Sequence, residues 1–465
     1  HGGGEVVFLG VVGGMAQGEG RGRHVKGGSP VYAADDRHIV TIAGSRAGKG
    51  RSVIVPNMLH YPGSVVAFDP KGELATLTAR YRAERLGHAV HVLDPFGVVT
   101  GKARKYRTGF NPLRAMRPRS MLEDAALISD GLVPVSEKDP HWDESARAFI
   151  EGAILHVATD PQFEKRRTLA AVHELVGLGV EIGGVFDFNK GVRGAMGGNT
   201  GPESRAVRMA AADLFDKPEN ERGSVVSTAR RHLRFLGFHE IAGIVSDHEF
   251  ELDSLKTGKT TVYLCLPARH MGTCARWLRL FVNLTLQAME RSGVGRGLPV
   301  LMILDEFATL GHMRQIEDAA GQIAGFGVRL WPVLQDLGQL KALYKDRWET
   351  FLGNAGVLQF FGNADLSTLE WISKRCGKVT IRTRTDQERT RQQADAGMSG
   401  ERWTSEIHDL LTIDEAARLF ARDDDLLRQL VVIGGGAPGI LQRAYYDKHE
   451  LFKGRADEER GSVGP

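Results

Sequence analysis

The sequence predicts an α/β protein: a nucleotide-type domain built on a mainly parallel sheet and interrupted by an inserted all-α domain. Three observations predict it. Short β-branched runs alternate with amphipathic stretches at βαβ spacing up to about Asn111. Helical periodicity then dominates from about Arg119 to Leu236. Strand-like runs return from Thr260, and 465 residues suffice for two or three domains around a large core. The expected division is 1–114 for the first part of the nucleotide domain and 115–236 for the helical insert. The second part of the nucleotide domain is then 237–450, with a tail over 451–465.

Each element has its reason. "HIVTIA" (His38–Ala43) is β-branched and precedes a Gly-rich turn, which suits a buried strand. "RSVIVPNMLHY" after the turn reads as a helix start, with Pro56 imposing a short first segment or a kink. "GSVVAFDPKGELATLTARYRAERLG" is a strand, an acidic turn and an amphipathic helix, and "AVHVLDPFG" is a further strand. "DESARAFIEGAILHVATD" and "GSVVSTARRHLRFLG" carry helical spacing. "TTVYLCLP", "LPVLMILDEFATLG", "VRLWPVLQD" and "GVLQFFGN" read as strands of the resumed sheet. The glycine clusters near 1–28 and 177–201 are expected as turns or loops. The polar stretch 380–403 is expected as a surface loop or disorder.

Composition excludes several classes. A hydrophobic fraction of 42% with 25% charged residues is that of an ordinary soluble protein, and a formal charge of +3 requires any nucleic-acid footprint to be local. Cys265, Cys274 and Cys376 form no C-x-x-C pair, which argues against a structural zinc site and a disulfide scaffold. No apolar stretch approaches the ~20 residues of a membrane-spanning helix, and the start does not resemble a signal peptide. The chain begins with His1 rather than Met, which leaves room for a membrane segment upstream.

The chemistry concentrates in three stretches. "AGSRAGKGRS" (Ala43–Ser52) departs from G-x-x-x-x-G-K-[ST]: Ala43 replaces the first glycine and Gly50 the hydroxyl residue. Gly44, Ser45, Arg46, Ala47, Gly48, Lys49, Gly50 and Arg51 offer backbone N–H groups at a helix start, suited to anions, with Lys49 reaching β/γ-phosphates. By itself the loop also fits a Gly-rich turn with a solvated lysine. "PVLMILDEF" tips the balance, because its apolar run delivers Asp305 and Glu306 to the C-terminal edge of a buried strand, where ligands bind in open α/β sheets. Asp305 is expected to hold Mg²⁺ and Glu306 to orient or deprotonate water. Gln335, at the end of "LWPVLQD", is a candidate γ-phosphate sensor, and Asp69 and Glu73 serve either the site or the capping of a helix.

Together "AGSRAGKGRSVIVPNMLHYPGSVVAFDPKGEL", "DPFG", "FNPL", "LDEFATLG", "LQDLGQLKALY", "LLTIDEAARLF" and "GGGAPGILQRAYY" resemble the TraG-like type IV secretion coupling ATPases, in order and over most of the chain. In that family glycine after the lysine is an accepted loop variant. The resemblance implies a RecA-like P-loop NTPase with an inserted all-α domain, ATP and Mg²⁺ as cofactors, and a hexameric ring at the cytoplasmic face of the bacterial inner membrane. It also implies that DNA–relaxase complexes or effector proteins are passed to a secretion channel. This chain, without the family's anchor, is expected to be soluble and monomeric when dilute. Two departures matter. Gly50 leaves Mg²⁺ to water and Asp305, or to Ser52. Ala324 stands where some relatives place a trans-acting arginine, with Arg329 and Arg375 as replacements. Arg230, Arg231 and Arg234, with Lys102, Arg104, Lys105 and Arg107, are either DNA contacts or solvated faces. Trp142 is expected as a core or capping aromatic of the helical domain rather than a substrate contact. A ring-type DNA translocase and a nucleotide-binding recruitment platform with little turnover are the rival readings.

Overall fold

A computed structural model describes residues 7–34, 37–136, 140–182, 185–293, 297–386 and 401–458. Its centre is an eleven-stranded sheet. The strands are β1 (Val7–Val12), β2 (Ser29–Ala33), β3 (His38–Ala43), β4 (Val65–Phe68), β5 (Ala89–Leu93) and β6 (Thr260–Leu264). They continue with β7 (Val300–Leu304), β8 (Val328–Leu334), β9 (Ala355–Phe361), β10 (Arg428–Ile433) and β11 (Gly439–Gln442). Their order across the sheet is β2-β1-β11-β10-β9-β3-β8-β7-β4-β6-β5. The stretch from β9 to β5 is parallel throughout, whereas β10, β11, β1 and β2 pair antiparallel at one side.

The parallel strands read as continuous apolar runs because both faces are covered. Alternate residues serve two cores: Val40, Ile42, Met302 and Leu304 belong to one, and Ile39, Ala43, Leu301 and Ile303 to the other. A polar ladder crosses the sheet inside this apolar setting. The Trp331 indole donates to Thr41 Oγ1 at 2.8 Å, Thr41 donates to Gln359 at 2.8 Å, and Gln359 reaches the Leu9 carbonyl at 3.4 Å. Each buried donor thus finds an acceptor, which fixes the lateral position of β3.

Between β5 and β6 the chain is mainly helical: Met121–Leu132, Pro140–Thr159, Leu169–Gly177, Arg193–Gly197, Ser204–Phe215, Glu219–Leu233 and His239–Ile244. It is not all-helical. A short hairpin pairs Val180–Ile182 with Val185–Asp187, where Gly179 adopts φ 90° and no side chain fits against Phe188. Phe149, Ile150, Leu214 and Leu233 of this segment lie in the same contiguous core as one face of the sheet. Trp142 packs half-buried against it.

Two expectations are corrected. The glycine-rich start holds packed strands: Val7, Phe8, Leu9 and Val11 are buried in β1. Gly10 there sits so close to Gln429 and the Gln442 carbonyl that a Cβ would clash at 2.6–2.7 Å. The polar stretch near 380–403 contributes an antiparallel ribbon, Lys378–Asp386 with Glu401–Asp409, whose alternating threonines and β-branched residues suit strands despite their polarity. Residues 387–400 lie outside the described part. No described helix is long and apolar enough to cross a membrane.

Candidate functional site

Register brings the site residues together before any side chain is considered. Leu304 of β7 pairs with Phe68 of β4 on one side and Pro332 of β8 on the other, and Leu334 pairs with Ile42 of β3. The residues that follow these strands, Asp69, Asp305 with Glu306, Gln335 and the loop from Gly44, therefore emerge along one C-terminal edge. One strand, β8, separates the loop-bearing β3 from the acid-bearing β7, and Gln335 directly follows it.

The loop's departures from the usual letters have local causes. Ala43 is the last residue of β3, in extended backbone and buried, so it requires no glycine. The close approach falls one residue later. A Cβ on Gly44 would sit 1.8 Å from the Gly362 carbonyl oxygen, and one on Gly362 (φ +65°) would sit 2.5 Å from the Ala47 methyl. Gly44 N–H also donates to the Phe361 carbonyl at 3.1 Å, pinning the loop to β9. Arg46 and Gly48 have positive φ, 57° and 88°, as a turn presenting successive N–H groups requires. The helix after the loop starts as a π-helical turn, Gly50–Ile54, and continues as Val55–His60. Its wider turn accommodates Pro56, which lacks the donor for a regular α turn.

Lys49 is the hub. Its Nζ lies 3.0 Å from Glu306 Oε1 and 3.3 Å from Asp305 Oδ1. Gln335 Nε2 donates to the other Glu306 oxygen at 3.3 Å, and Asn363 donates to the Gln335 carbonyl at 3.3 Å. Glu306 itself adopts φ 52°, a conformation costly for a non-glycine residue and characteristic of functional sites. Burial raises the Asp305 pKa above the usual carboxylate range, with Lys49 opposing the shift. Asp69 is buried, accepts the Ala75 N–H at 2.8 Å, and is pushed up to about 7, chiefly by burial. It caps the helix Glu73–Glu84 from the edge of the site, whereas Glu73 is exposed beside Lys71.

Several sequence-level expectations are sorted by this geometry. Gly44, Ser45, Arg46, Ala47, Gly48, Lys49, Gly50, Asp305, Glu306 and Gln335 share one edge. The Arg51 side chain turns away to Asp447, at 2.6 and 2.5 Å, and stacks 4.2 Å over Tyr445. Ser52 is buried and its Oγ donates to the Gly48 carbonyl at 2.9 Å. Arg329 is fully buried near the N-terminal end of β8, so its side chain is not presented to a neighbouring subunit, whereas Arg375 is exposed. The basic clusters are largely engaged within the chain. Arg230 bonds the Val176 carbonyl and Arg231 pairs with Asp143, while Lys105 pairs with Glu84 and Arg107 with Asp94. Sequence reasoning missed Asn363, Gly362 and the Arg443–Asp447 segment. The lone arginine between an apolar strand and two tyrosines in "GILQRAYYD" was the available signal.

The comparisons decide the family. Residues 11–463 match the profile of Type IV secretory system Conjugative DNA transfer. The chain belongs to this family. It is 27% identical over 96% of its length to a conjugal transfer protein TraG from Escherichia coli, covering 72% of that protein. It is 26% identical over 94% of its length to protein VirD4 from Rhizobium radiobacter, covering 61% of that protein. Its fold matches that of the bacterial conjugative coupling protein TrwBdeltaN70, with TM-score 0.66, 15% identity, and coverage of 94% and 95% of the two chains. TrwB has also been solved in complex with the non-hydrolysable analogue ADPNP, a structure that matches with TM-score 0.63, 15% identity, and coverage of 88% and 86%.

Proposed function

We propose that this chain is the nucleotide-driven part of a type IV secretion coupling protein. In this reading it binds ATP with Mg²⁺ at the Gly44–Arg51 loop, hydrolyses it, and uses the cycle to deliver a DNA–relaxase complex or a protein substrate to the secretion channel. Hexamers at the cytoplasmic face of the inner membrane are the working assembly in this reading. The observation that carries it is Lys49 held between Asp305 and Glu306, with Gln335 on Glu306, at the C-terminal edge of the parallel sheet.

The residues fit a magnesium nucleotide. Asp305 offers hard oxygen donors, and a Cβ at Gly50 would meet nothing within 4 Å, leaving room for water where other loops place a hydroxyl. Mg²⁺ held through Asp305 supplies charge neutralisation at the phosphates. Lys49 is shared between two acids, so an incoming phosphate competes for its ammonium group. Drawing Lys49 onto phosphate frees the Glu306 carboxylate to accept a proton from water, and Gln335 keeps that carboxylate oriented. ATP binding thereby switches on the base.

The test is Lys49→Ala and Lys49→Gln in the full chain, read as binding of a fluorescent ADP with Mg²⁺ and as phosphate release. Both are expected to fall at least tenfold, and the thermal midpoint is measured alongside, because removing Lys49 leaves the largely buried Asp305 without its partner. Wild-type binding and turnover in both variants would remove the loop from the nucleotide site.

A further inference from the structure

After β11 the chain crosses the phosphate loop and ties down its second half, from Ala47 to Arg51. Arg443 is buried, and its guanidinium is satisfied by main-chain carbonyls. Nη1 donates to Ala47 O at 2.8 Å, Nη2 to Ala421 O and Arg422 O at 3.3 Å each, and Nε to Leu427 O at 3.3 Å. Two residues on, the Tyr445 ring lies against Gly48, 3.5 Å from where a Cβ would stand. Tyr446 N–H donates to Arg51 O at 3.0 Å, and Asp447 holds the Arg51 guanidinium with both oxygens. Ala47 and Arg51, the two ends of the helix-starting turn, are thus anchored by residues roughly 400 positions away.

We infer that the Arg443–Asp447 segment positions the phosphate loop for anion binding, with Arg443 as the principal positioning residue. The physical reason lies in the peptide between Ala47 and Gly48. A trans peptide points its C=O and N–H in opposite directions. With the Ala47 oxygen held on Arg443, the Gly48 N–H is turned to the opposite side, away from Arg443 and available to the anion. Arg443 also places a fixed cation one peptide behind a loop that must gather phosphate charge, where partial desolvation strengthens its field. Its hydrogen bonds all go to carbonyls, and Asp423 and Asp424 nearby offset only part of its charge without pairing with it directly. Asp447 acts at the other end. By occupying Arg51 it keeps that side chain out of the loop and holds the start of the helix against the tail.

This inference rests on the loop's binding nucleotide, so the experiment separates the two. Arg443→Lys, Arg443→Gln and Asp447→Asn are measured in the full chain for fluorescent-ADP affinity with Mg²⁺. Thermal midpoint and hydrogen exchange of peptide 44–52 are measured without nucleotide. Arg82→Lys is the control, because Arg82 is equally buried and bonds Met58, Tyr61 and Gly63 carbonyls away from the loop. The expected result is an affinity loss of tenfold or more in Arg443→Lys, a smaller loss in Asp447→Asn, and faster exchange of the loop in both. Arg82→Lys should lose less than twofold for a similar fall in midpoint. Affinity in Arg443→Lys that matches Arg82→Lys at equal stability overturns the inference. If the Arg443 variants do not fold, the partly exposed Asp447→Asn carries the test alone, and wild-type affinity there overturns it. If Lys49→Ala binds nucleotide normally while these variants do not, the assignment of Lys49 fails and the positioning role stands.

Discussion

At the scale of single residues, Lys49 divides its charge between Asp305 and Glu306, so its neighbours have separable roles. Glu306→Gln keeps the size and a hydrogen-bonding oxygen but cannot accept a proton. Nucleotide affinity is expected within a few-fold of wild type, while turnover falls by about 10²–10⁴. Retained full turnover would transfer the role of base elsewhere. Gly50 offers the converse experiment. Nothing lies within 4 Å of its would-be Cβ, and serine is the better helix former by some tenths of a kcal/mol. Gly50→Ser is therefore expected to fold at least as well as wild type and to reach half-maximal ATPase at lower Mg²⁺. An unchanged Mg²⁺ titration would mean that position 50 does not face the metal. That these residues share one edge was legible in the sequence, because a lysine after glycines and two acids after an apolar run are local patterns. Arg443 was not, since its partners Ala47, Ala421 and Leu427 are brought to it only by the fold.

Secondary-structure elements set how tightly this edge is built. The loop is wedged against the end of β9 with contact distances that admit no methyl group at Gly44. Gly44→Ala is expected to cost 1–3 kcal/mol or more through overpacking, visible as a lower thermal midpoint together with weaker nucleotide binding. Asp69 provides a pH signature for the β4 edge. Its pKa is raised from 3.8 to about 7 by burial, so between those values the folded chain holds a proton that the unfolded chain releases. The associated stability is present below pH 3.8 and is lost as pH rises through about 7. Asp69→Asn keeps an oxygen for the Ala75 N–H and has no proton to lose. Its thermal midpoint is expected to gain on wild type as pH is raised from 5 to 8; a constant difference across that range would contradict the raised pKa. The parallel strands were legible because both their faces are buried. β1, β2 and the ribbon after Lys378 were not, because glycine at close approach and threonine in polar strands look like loop when only composition is weighed.

On the scale of the whole molecule, the helical segment shares its core with one face of the sheet, so its helices and the nucleotide edge respond to strain as one packed body. Asp130 shows the connection: from the helix Met121–Leu132 it bonds Arg147 and also Gln315, on the helix that follows the acidic strand end. The proposed ring also needs a connection between subunits. Of the two arginines weighed as trans-acting groups, Arg329 is sealed inside β8, and Arg375 stands exposed at the end of the helix Leu366–Cys376. If a neighbouring subunit completes each site, complete sites form only when chains meet, and ATPase rate rises more than linearly with protein concentration. Confining the chains to a surface through an added anchor should raise it further by effective concentration alone. Arg375→Ala is expected to abolish the excess over linearity and leave fluorescent-ADP affinity within twofold. Sedimentation over the same concentration range supplies the assembly state against which the rates are read. Strict proportionality from a species that sediments as a monomer would mean that each chain carries a complete site, and the shared-site ring would then be excluded for this chain.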